Sequence, residues 1–439
     1  MSAWRVLVSG PALFGSGRRA IVLVLVLWVV IVLGIIASSL AFDVQVSSKL
    51  TLIQREQFIA YNLAKSAIAV GMTHLQNDLL IEQQENPNQL YDAPSDVWAQ
   101  PGRREKDIEV EIDKEHKDRS YEVEVADEEG KIPLNNASPR LLKGLLEFYG
   151  YEAPDSDEVA AAIVDYRDQD DMCASAPGEK ENEHYSAALG QRISNNMDSA
   201  QLAYQCPNEP FMTVEQLLDV YGIQPEVFYG YDPAESEARD LKTRDAIAEG
   251  RKAPRQRQRK GRKVLPMKDV VSVSTQGRVN LNTAPVEVLT VLIYAANNFA
   301  SIDSAHSAAE AIAEFRGDGR RGRIPNEEDA FKSLPDVAKV PGVDANALNQ
   351  LGGMGVQPSF HSEIFSVLGI GKTARAQRTI TAVVERKLEV FDPNSARLSS
   401  NKNGRTPARR VPGSRRKKGG EQQDDYIRVP AVRVLQWID

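Results

Sequence analysis

Two hydrophobic patterns follow one another near the start of the chain. Residues 21–42 carry no charged side chain, and a helix needs about 20 apolar residues to cross the hydrocarbon of a bilayer. Residues 44–83 contain no proline, and their apolar side chains recur at three- and four-residue steps, which is typical of an amphipathic helix. We therefore predict one long helix over 21–83. Its second half is predicted to present an apolar face made of Tyr61, Ala64, Ala67, Ile68, Gly71, Leu75 and Leu79.

The charges that flank the apolar segment predict its orientation. Arg5, Arg18 and Arg19 precede the segment without an acidic residue, and Asp43 follows it. In a bacterium, the positive-inside rule then predicts a single-pass protein of the inner membrane, with a cytoplasmic N-terminus and a periplasmic body. The alternative is a secretory signal cleaved after Ser39–Ala41. The apolar segment is longer than the roughly 7–15 residues typical of such signals, which favours the anchor.

Strand patterns lie on both sides of a long helical region. Residues 108–112 and 121–125 alternate apolar and acidic side chains, as in two antiparallel strands with one solvated face. From 131 to 359 the apolar spacing is helical. Strand character returns late in the chain, at Glu363–Leu368, Arg378–Val390 and Ile427–Trp437.

These patterns predict an α+β fold in which an antiparallel sheet is interrupted after its second strand by a large all-α insertion. The insertion is of the SAM-like or helix-hairpin-helix-like type. The predicted parts are a leader at 1–20, the transmembrane and amphipathic helix at 21–83, the sheet at 105–130 and 360–439, and the insertion at 131–359.

The insertion contains an internal repeat. Residues 130–142 (GKIPLNNASPRLL) align without gaps with residues 277–289 (GRVNLNTAPVEVL). Each copy is predicted to be a short extended segment that ends where Asn, Ser or Thr can cap the first turn of a helix. The repeat therefore indicates two framed helices and no chemistry of its own.

Composition limits the classes of function. With 53 basic and 61 acidic residues the net charge is −8, which argues against uniform binding to a polyanion. Two basic segments, 251–263 and 401–418, could contact an anionic partner or form solvated insertions. The absence of interleaved aromatic side chains favours solvated insertions.

Enzyme motifs are not complete in the sequence. Gly371–Thr373 resembles the end of a phosphate-binding loop, but that loop needs glycine where Ser366 stands. The five histidines form no metal-binding spacing. We therefore expect a protein that is not an enzyme.

One stretch of the insertion is rich in carboxylates. Hard oxygen ligands at this density suit Ca²⁺, although a solvated acidic loop has the same composition. Cys173 lies where an EF-hand loop requires glycine, so this is not an EF-hand. The carboxylates are Asp165, Asp168, Asp170, Asp171, Glu179, Glu181 and Glu183.

Two cysteines, Cys173 and Cys206, flank the same stretch. In an oxidising compartment a disulfide between them would close one loop and stabilise the fold by roughly 3–4 kcal/mol. The alternative is two buried free thiols. We predict the disulfide.

Four motifs in order resemble the general secretion pathway protein K family, the minor pseudopilins of bacterial type II secretion systems. The resemblance extends over most of residues 15–390. Its motifs are the leader followed by RAIVLVLVLW at 19–28, DEEGKIPLNNA at 127–137, AIVDYRDQDD at 162–171 and GRVNLNTAP at 277–285.

The resemblance implies a pilin-like sheet and a role in assembly at the tip of the periplasmic pseudopilus. It implies as partners the inner membrane, other minor and major pseudopilins, and a prepilin peptidase that cuts between Ala20 and Ile21. The family usually has glycine before the cut, where this chain has Ala20, and most pilins carry glutamate where this chain has Leu25. It also implies calcium in the insertion, for which the predicted ligands are Asp168, Asp170, Asp171, Glu181 and Glu183.

A second resemblance is to membrane-anchored DNA-uptake proteins with helix-hairpin-helix units. Those hairpins need a tight turn of small residues, and after the first repeat the chain instead has Gly150–Glu152, followed by three acids that would repel phosphate. Binding to nucleic acid is therefore the less favoured hypothesis.

Overall fold

The computed structural model describes residues 16–85, 90–92, 95–96, 98–99, 105–109, 119–193, 204–230, 264–317, 329–391 and 427–438. The two basic segments, 251–263 and 401–418, lie outside these residues.

The first element is one continuous helix, α1, Ser16–Glu85, of 70 residues. At 1.5 Å per residue it is about 105 Å long. Its first half is exposed, whereas Ala60, Ala64 and Ala67 are fully buried. The helix includes the predicted span 21–83 and extends beyond it at both ends, so Ala20 and Ile21 lie inside it.

The buried half of α1 packs on a five-stranded antiparallel sheet whose strands lie in chain order. Strand β2 pairs with β3 from Ser120 opposite Lys372 to Asp127 opposite Phe365. The strands are β1 Glu105–Glu109, β2 Ser120–Asp127, β3 Ile364–Lys372, β4 Gln377–Phe391 and β5 Ile427–Ile438.

Small residues let the helix lie close to the sheet. A Cβ on Gly371 would collide with the carbonyl oxygen of Ala60, and one on Gly369 would collide with that of Ala64. Around this contact Val123, Val367 and the helix side chains form a buried apolar cluster. The one-sided spacing of the helix and the alternation of the strands thus meet as a single interface.

The insertion leaves the sheet after β2 and returns before β3. Five helices, α2 to α6, carry most of its core: Pro139–Phe148, Asp155–Arg167, Glu181–Ile193, Val286–Ala296 and Ile302–Phe315. Shorter helices are Pro225–Tyr229, Met267–Val270, Leu334–Val337 and Ala345–Asn349, and 3-10 turns are Val214–Asp219 and Gln350–Met354. Two parallel strand pairs are Ile132–Pro133 with Val271–Ser272 and Arg278–Asn280 with Gln357–Ser359.

The internal repeat is larger in the structure than in the sequence alignment. Each copy ends in an arginine whose guanidinium donates to two backbone carbonyls at matching repeat positions. These contacts are Arg167 with Leu134 and Ala137, and Arg316 with Leu281 and Ala284. The two copies therefore close in the same way, although the two arginines lie far outside the aligned segments.

The repeat asparagines have a role that differs from the predicted capping. Asn135 exchanges two hydrogen bonds with the backbone of Phe211, at 3.0 and 2.9 Å. Asn282 does the same with Phe331, at 2.8 and 2.9 Å. Each asparagine thus fastens a distant segment to its repeat, while Ser138 caps α2.

The fold class predicted from the sequence is confirmed. The structure is α+β, with a long N-terminal apolar helix, an antiparallel sheet on which that helix packs, and a helical insertion.

Candidate functional site

The exposed half of α1 carries most of the exposed large apolar side chains of the described chain. Among the described residues, α1 is the one helix long and apolar enough to cross a membrane, with a window of mean hydropathy 2.9. Such a helix is compatible with single-pass anchoring.

Apolar exposure continues past the predicted bilayer segment. Leu50, Ile53 and Phe58 are 54 %, 43 % and 67 % exposed. Beside Phe58, a groove of about 420 Å³ runs between α1 and the start of β4, lined in part by Tyr61, Arg378 and Ile380. This surface, which lies outside the predicted bilayer segment 21–42, is suited to packing against another helix.

Three of the five predicted calcium ligands come together in the insertion. Oxygens of Asp168, Asp170 and Glu181 all lie within 4.8 Å of one another. The geometry follows from the chain: Asp168 ends α3, Glu181 begins α4, and the connecting loop folds back so that Glu181 N donates to Asp171 O at 3.2 Å.

The electrostatics of these three carboxyls favour a cation. Glu181 is 1 % exposed, and its Oε1 has no hydrogen-bond partner within the described residues; the same holds for Oδ1 of Asp168. Burial and the charges of Asp165, Asp168 and Asp170 raise the pKa of Glu181 to about 7. The guanidinium of Arg167 donates to backbone carbonyls, and its charge only partly offsets the rise in the pKa of Asp168 that burial and the neighbouring acids cause.

The other two predicted ligands do not join this group. Asp171 forms an exposed ion pair with Lys180 at 2.9 Å, and the hydrogen bond and charge of Lys180 lower the pKa of Asp171. Glu183 is exposed on the first turn of α4. The side chains of neighbouring residues along a loop and a helix point in different directions, so carboxylates that are close in sequence do not all meet at one point.

The predicted disulfide is not present, because both cysteines are free thiols. Cys173 is buried, with Sγ 3.1 Å from Ser175 Oγ and 3.7 Å from Tyr185 Oη. Cys206 instead faces Glu181, and burial and that negative charge raise the pKa of the Cys206 thiol. Each sulfur is thus directed to a different polar partner.

A second charged cluster, which the sequence did not predict, lies where the far end of α1 meets the sheet and the insertion. We call it the hub: Asp78, Glu82, Asp92, Asp96 and Arg386. Arg386 of β4 is fully buried, donates to Asp78 at 2.7 Å, to Asp92 and to the backbone of Ser362 at 3.1 Å, and packs on the rings of Trp98 and Phe365.

Hydrogen bonds connect the hub to the second repeat. Asn282 donates to the backbone carbonyl of Asp92 at 2.8 Å, and Asn280 donates to Ser362 Oγ at 2.8 Å. Ser362 and Thr283 both donate to Asp127 at the end of β2, at 2.6 and 2.5 Å. Burial and the neighbouring charge of Asp92 raise the pKa of Asp127 to about 7.

The turn at Gly222, between the 3-10 turn Val214–Asp219 and the helix Pro225–Tyr229, is closed to phosphate. Gly222 has a φ of 84°, and a Cβ there would collide with Val159. The amide of Ile223 donates to Val220 at 3.3 Å and that of Gln224 to Tyr151 Oη at 3.0 Å. Because both amides are already used inside the fold, this turn does not offer them to a nucleic-acid backbone.

A scan against models of protein families finds no match, and a search of curated protein sequences finds none. Among solved structures, the chain is similar to a chain in the crystal structure of the GspK-GspI-GspJ complex from the type 2 secretion system of enterotoxigenic Escherichia coli. The TM-score is 0.44 at 14% sequence identity, and the match covers 79% of this chain and 94% of that chain.

Proposed function

We propose that the protein is a minor pseudopilin of a type II secretion system, a membrane-anchored subunit that acts by assembly and not by catalysis. One observation carries the proposal. A single helix is exposed and apolar along its first half, and along its second half it packs on an antiparallel sheet through small residues. The ordered sequence motifs of the pseudopilin family support the same assignment.

The two halves of the helix have different partners. The apolar segment 21–42 is placed in the inner membrane, with the N-terminus in the cytoplasm and the body in the periplasm. Beyond this segment, the exposed apolar side chains of Leu50, Ile53 and Phe58 need a packing partner that the described part of the chain does not supply. Helices of other pseudopilins, minor and major, are the proposed cover, since apolar helix faces pack side by side in water.

The position of the insertion supports a place at the end of the filament. It leaves from Asp127 and returns at Ile364, which are at the same end of the sheet. That end adjoins Asp78, near the far end of α1 from the membrane. A bulky insertion there would obstruct a further subunit above it, which is the property expected of a tip subunit.

Two molecular events belong to the proposal. A prepilin peptidase removes the leader between Ala20 and Ile21. Calcium binds to Asp168, Asp170 and Glu181, which supply hard oxygen ligands, while water or backbone carbonyls complete the six to eight that Ca²⁺ takes.

The decisive experiment is co-purification in detergent. The full chain carrying a C-terminal tag is expressed with the other pseudopilins of the same organism, and a single-pass membrane protein with an unrelated body is the control. We expect pseudopilins to be retained on the tagged chain and secretion to fail when its gene is deleted. Retention of none of them, together with unchanged secretion, would refute the proposal; salt-sensitive retention of DNA would favour the uptake hypothesis instead.

A further inference from the structure

The hub contains more negative than positive charge in a buried place. Four of its members are carboxyl groups and one is a guanidinium. Arg386 uses one terminal nitrogen on Asp78 and the other on Asp92. His361 adjoins Asp92 at 3.6 Å, and burial lowers the pKa of His361, which keeps its ring neutral. One guanidinium carries a single positive charge, so the two carboxylates of Asp78 and Asp92 already exceed it, and an ionised Glu82 beside them would add to the excess of negative charge.

Glu82 has an unusual environment. Both of its carboxyl oxygens are buried, and neither has a hydrogen-bond partner within the described part of the chain. The charged groups that face it are Asp78 on its own helix, Asp92 and Asp96 from the segment after α1, and Arg386 from β4. An ionised carboxylate in this position would be desolvated, unpaired and opposed by its neighbours, so the neutral acid is the stable form.

We propose that the hub is a pH-dependent conformational switch, which we call the latch. When Glu82 is protonated, three elements are held together around Arg386: the far end of α1, the segment around Asp92 and the sheet. When Glu82 loses its proton, these three elements separate. Because Asp92 also accepts hydrogen bonds from Ser362 and Asn282, opening the hub loosens the attachment of the insertion to α1, which we call the stem. The latch is a property of the fold and does not depend on the proposed role in secretion.

The direction of the pH response follows from the acid. Glu82 lies about 60 Å along the helix from the predicted bilayer segment, and burial, with the charge of Asp92, raises the pKa of Glu82 to about 9. The closed hub therefore binds a proton that the open hub releases. The stability of the closed form falls as pH rises from the ordinary carboxyl range towards 9.

A proton fits this place better than a metal ion. The guanidinium of Arg386 lies directly on Asp78 and Asp92 and is packed on the rings of Trp98 and Phe365. A divalent cation would have to share those carboxylates with a fixed positive charge and would be repelled by it. A proton on Glu82 removes one negative charge without displacing any of these contacts.

The test is hydrogen exchange of the full chain in detergent between pH 7 and 8.5. Two amides report opening directly: Asp92 N donates to Phe360 O at 2.8 Å, and Ser362 N donates to Asp92 Oδ2 at 2.5 Å. Burial raises the pKa of Asp127 to about 7, so its proton also contributes near the lower end of this range, and the slope is therefore read in the upper half. If opening releases one proton, the opening equilibrium increases about tenfold per pH unit after correction for intrinsic exchange.

We expect this slope in the wild type and a flat profile in Glu82→Gln, since the amide imitates the protonated acid. Glu56→Gln, on the same helix and outside the hub, should keep the wild-type slope. The proposal is overturned if Glu82→Gln keeps the slope, whether or not the variant is destabilised at every pH. It is also overturned if millimolar Ca²⁺ or Mg²⁺ protects both amides and removes the wild-type slope, because the excess charge would then belong to a cation site.

Discussion

Gly371 of β3 lies directly against Ala60 of α1, so closely that a Cβ on the glycine would collide with the alanine carbonyl. The contact lies where the helix first meets the sheet, next to the apolar groove at Phe58 and Tyr61. The absence of a side chain at Gly371 thus sets the distance between α1 and the sheet.

Replacing this glycine should weaken the seating of the stem. In Gly371→Ala the added methyl group must push the helix away or displace the strand, and overpacking of this kind costs about 1–3 kcal/mol. We expect a lower melting temperature for the full chain in detergent. Gly352→Ala is the matched control, since a Cβ there meets no atom within 4 Å, and it should melt as the wild type does. Equal melting of both variants would show that the helix is not held at this contact.

Arg167 and Arg316, which we call the clamp arginines of the two repeats, should be structurally essential. Arg316 is 1 % exposed and donates to the carbonyls of Leu281 and Ala284. Arg316→Ala leaves two buried acceptors without donors, at about 1–3 kcal/mol for each. Lysine restores less than half of the loss, because one ammonium does not reproduce the two-pronged contact.

Chemical denaturation of the full chain measures this effect. Arg167→Ala should act in the same direction on the first repeat, because its guanidinium contacts the equivalent carbonyls. Arg375→Ala, at an exposed turn between β3 and β4, is the control and should change stability by less than about 0.5 kcal/mol. A loss in the control as large as that in Arg316→Ala would contradict the clamp.

The features predictable from the sequence are those set by local periodicity. The helical spacing from Tyr61 to Leu79 identified the face that packs on the sheet, and the alternation at 121–125 identified β2. The repeat was visible because its two copies share residue types in one short segment. In each case neighbouring residues carry the information.

Features formed by distant residues were not predictable. In the sequence, Arg386 is a single charged residue in a predicted strand. Its partners Asp92 and Asp78 lie 294 and 308 residues away in sequence. Arg167 and Arg316 lie 33 and 35 residues after the leucines whose carbonyls they bind, so a short alignment omits them. At the acidic loop, residue type suggested Asp171 as a ligand, but the adjacent Lys180 takes its carboxylate.

Calcium binding should depend on three carboxylates and not on Asp171. In isothermal titration of the full chain, Glu181→Gln and Asp170→Asn should each weaken Ca²⁺ binding at least tenfold, because each removes a charged ligand. Asp171→Asn is the matched control: it removes a neighbouring charge that is paired with Lys180, and it should bind as the wild type does. Equal weakening in all three variants would indicate a diffuse acidic surface, and no heat of binding in the wild type at millimolar Ca²⁺ would exclude the site.

The exposed apolar surface of the stem should be required for assembly but not for folding. Phe58 is 67 % exposed, so Phe58→Asp creates no buried charge within the chain and should leave the melting temperature unchanged. In a complex the same aspartate would be desolvated against a neighbouring helix, at a cost of several kcal/mol. We therefore expect the variant to lose the pseudopilins that the wild type retains in detergent.

Ser66→Asp provides the comparison for this effect. It places the same charge on the same helix, at an exposed position two turns beyond Phe58, where the opposite face packs on the sheet. It should retain the partners, because the apolar surface at residues 50–58 is intact. If Phe58→Asp retained the other pseudopilins equally well, partner helices would have to contact another part of α1. The exposed apolar part of α1 would then be explained by contact with lipid alone.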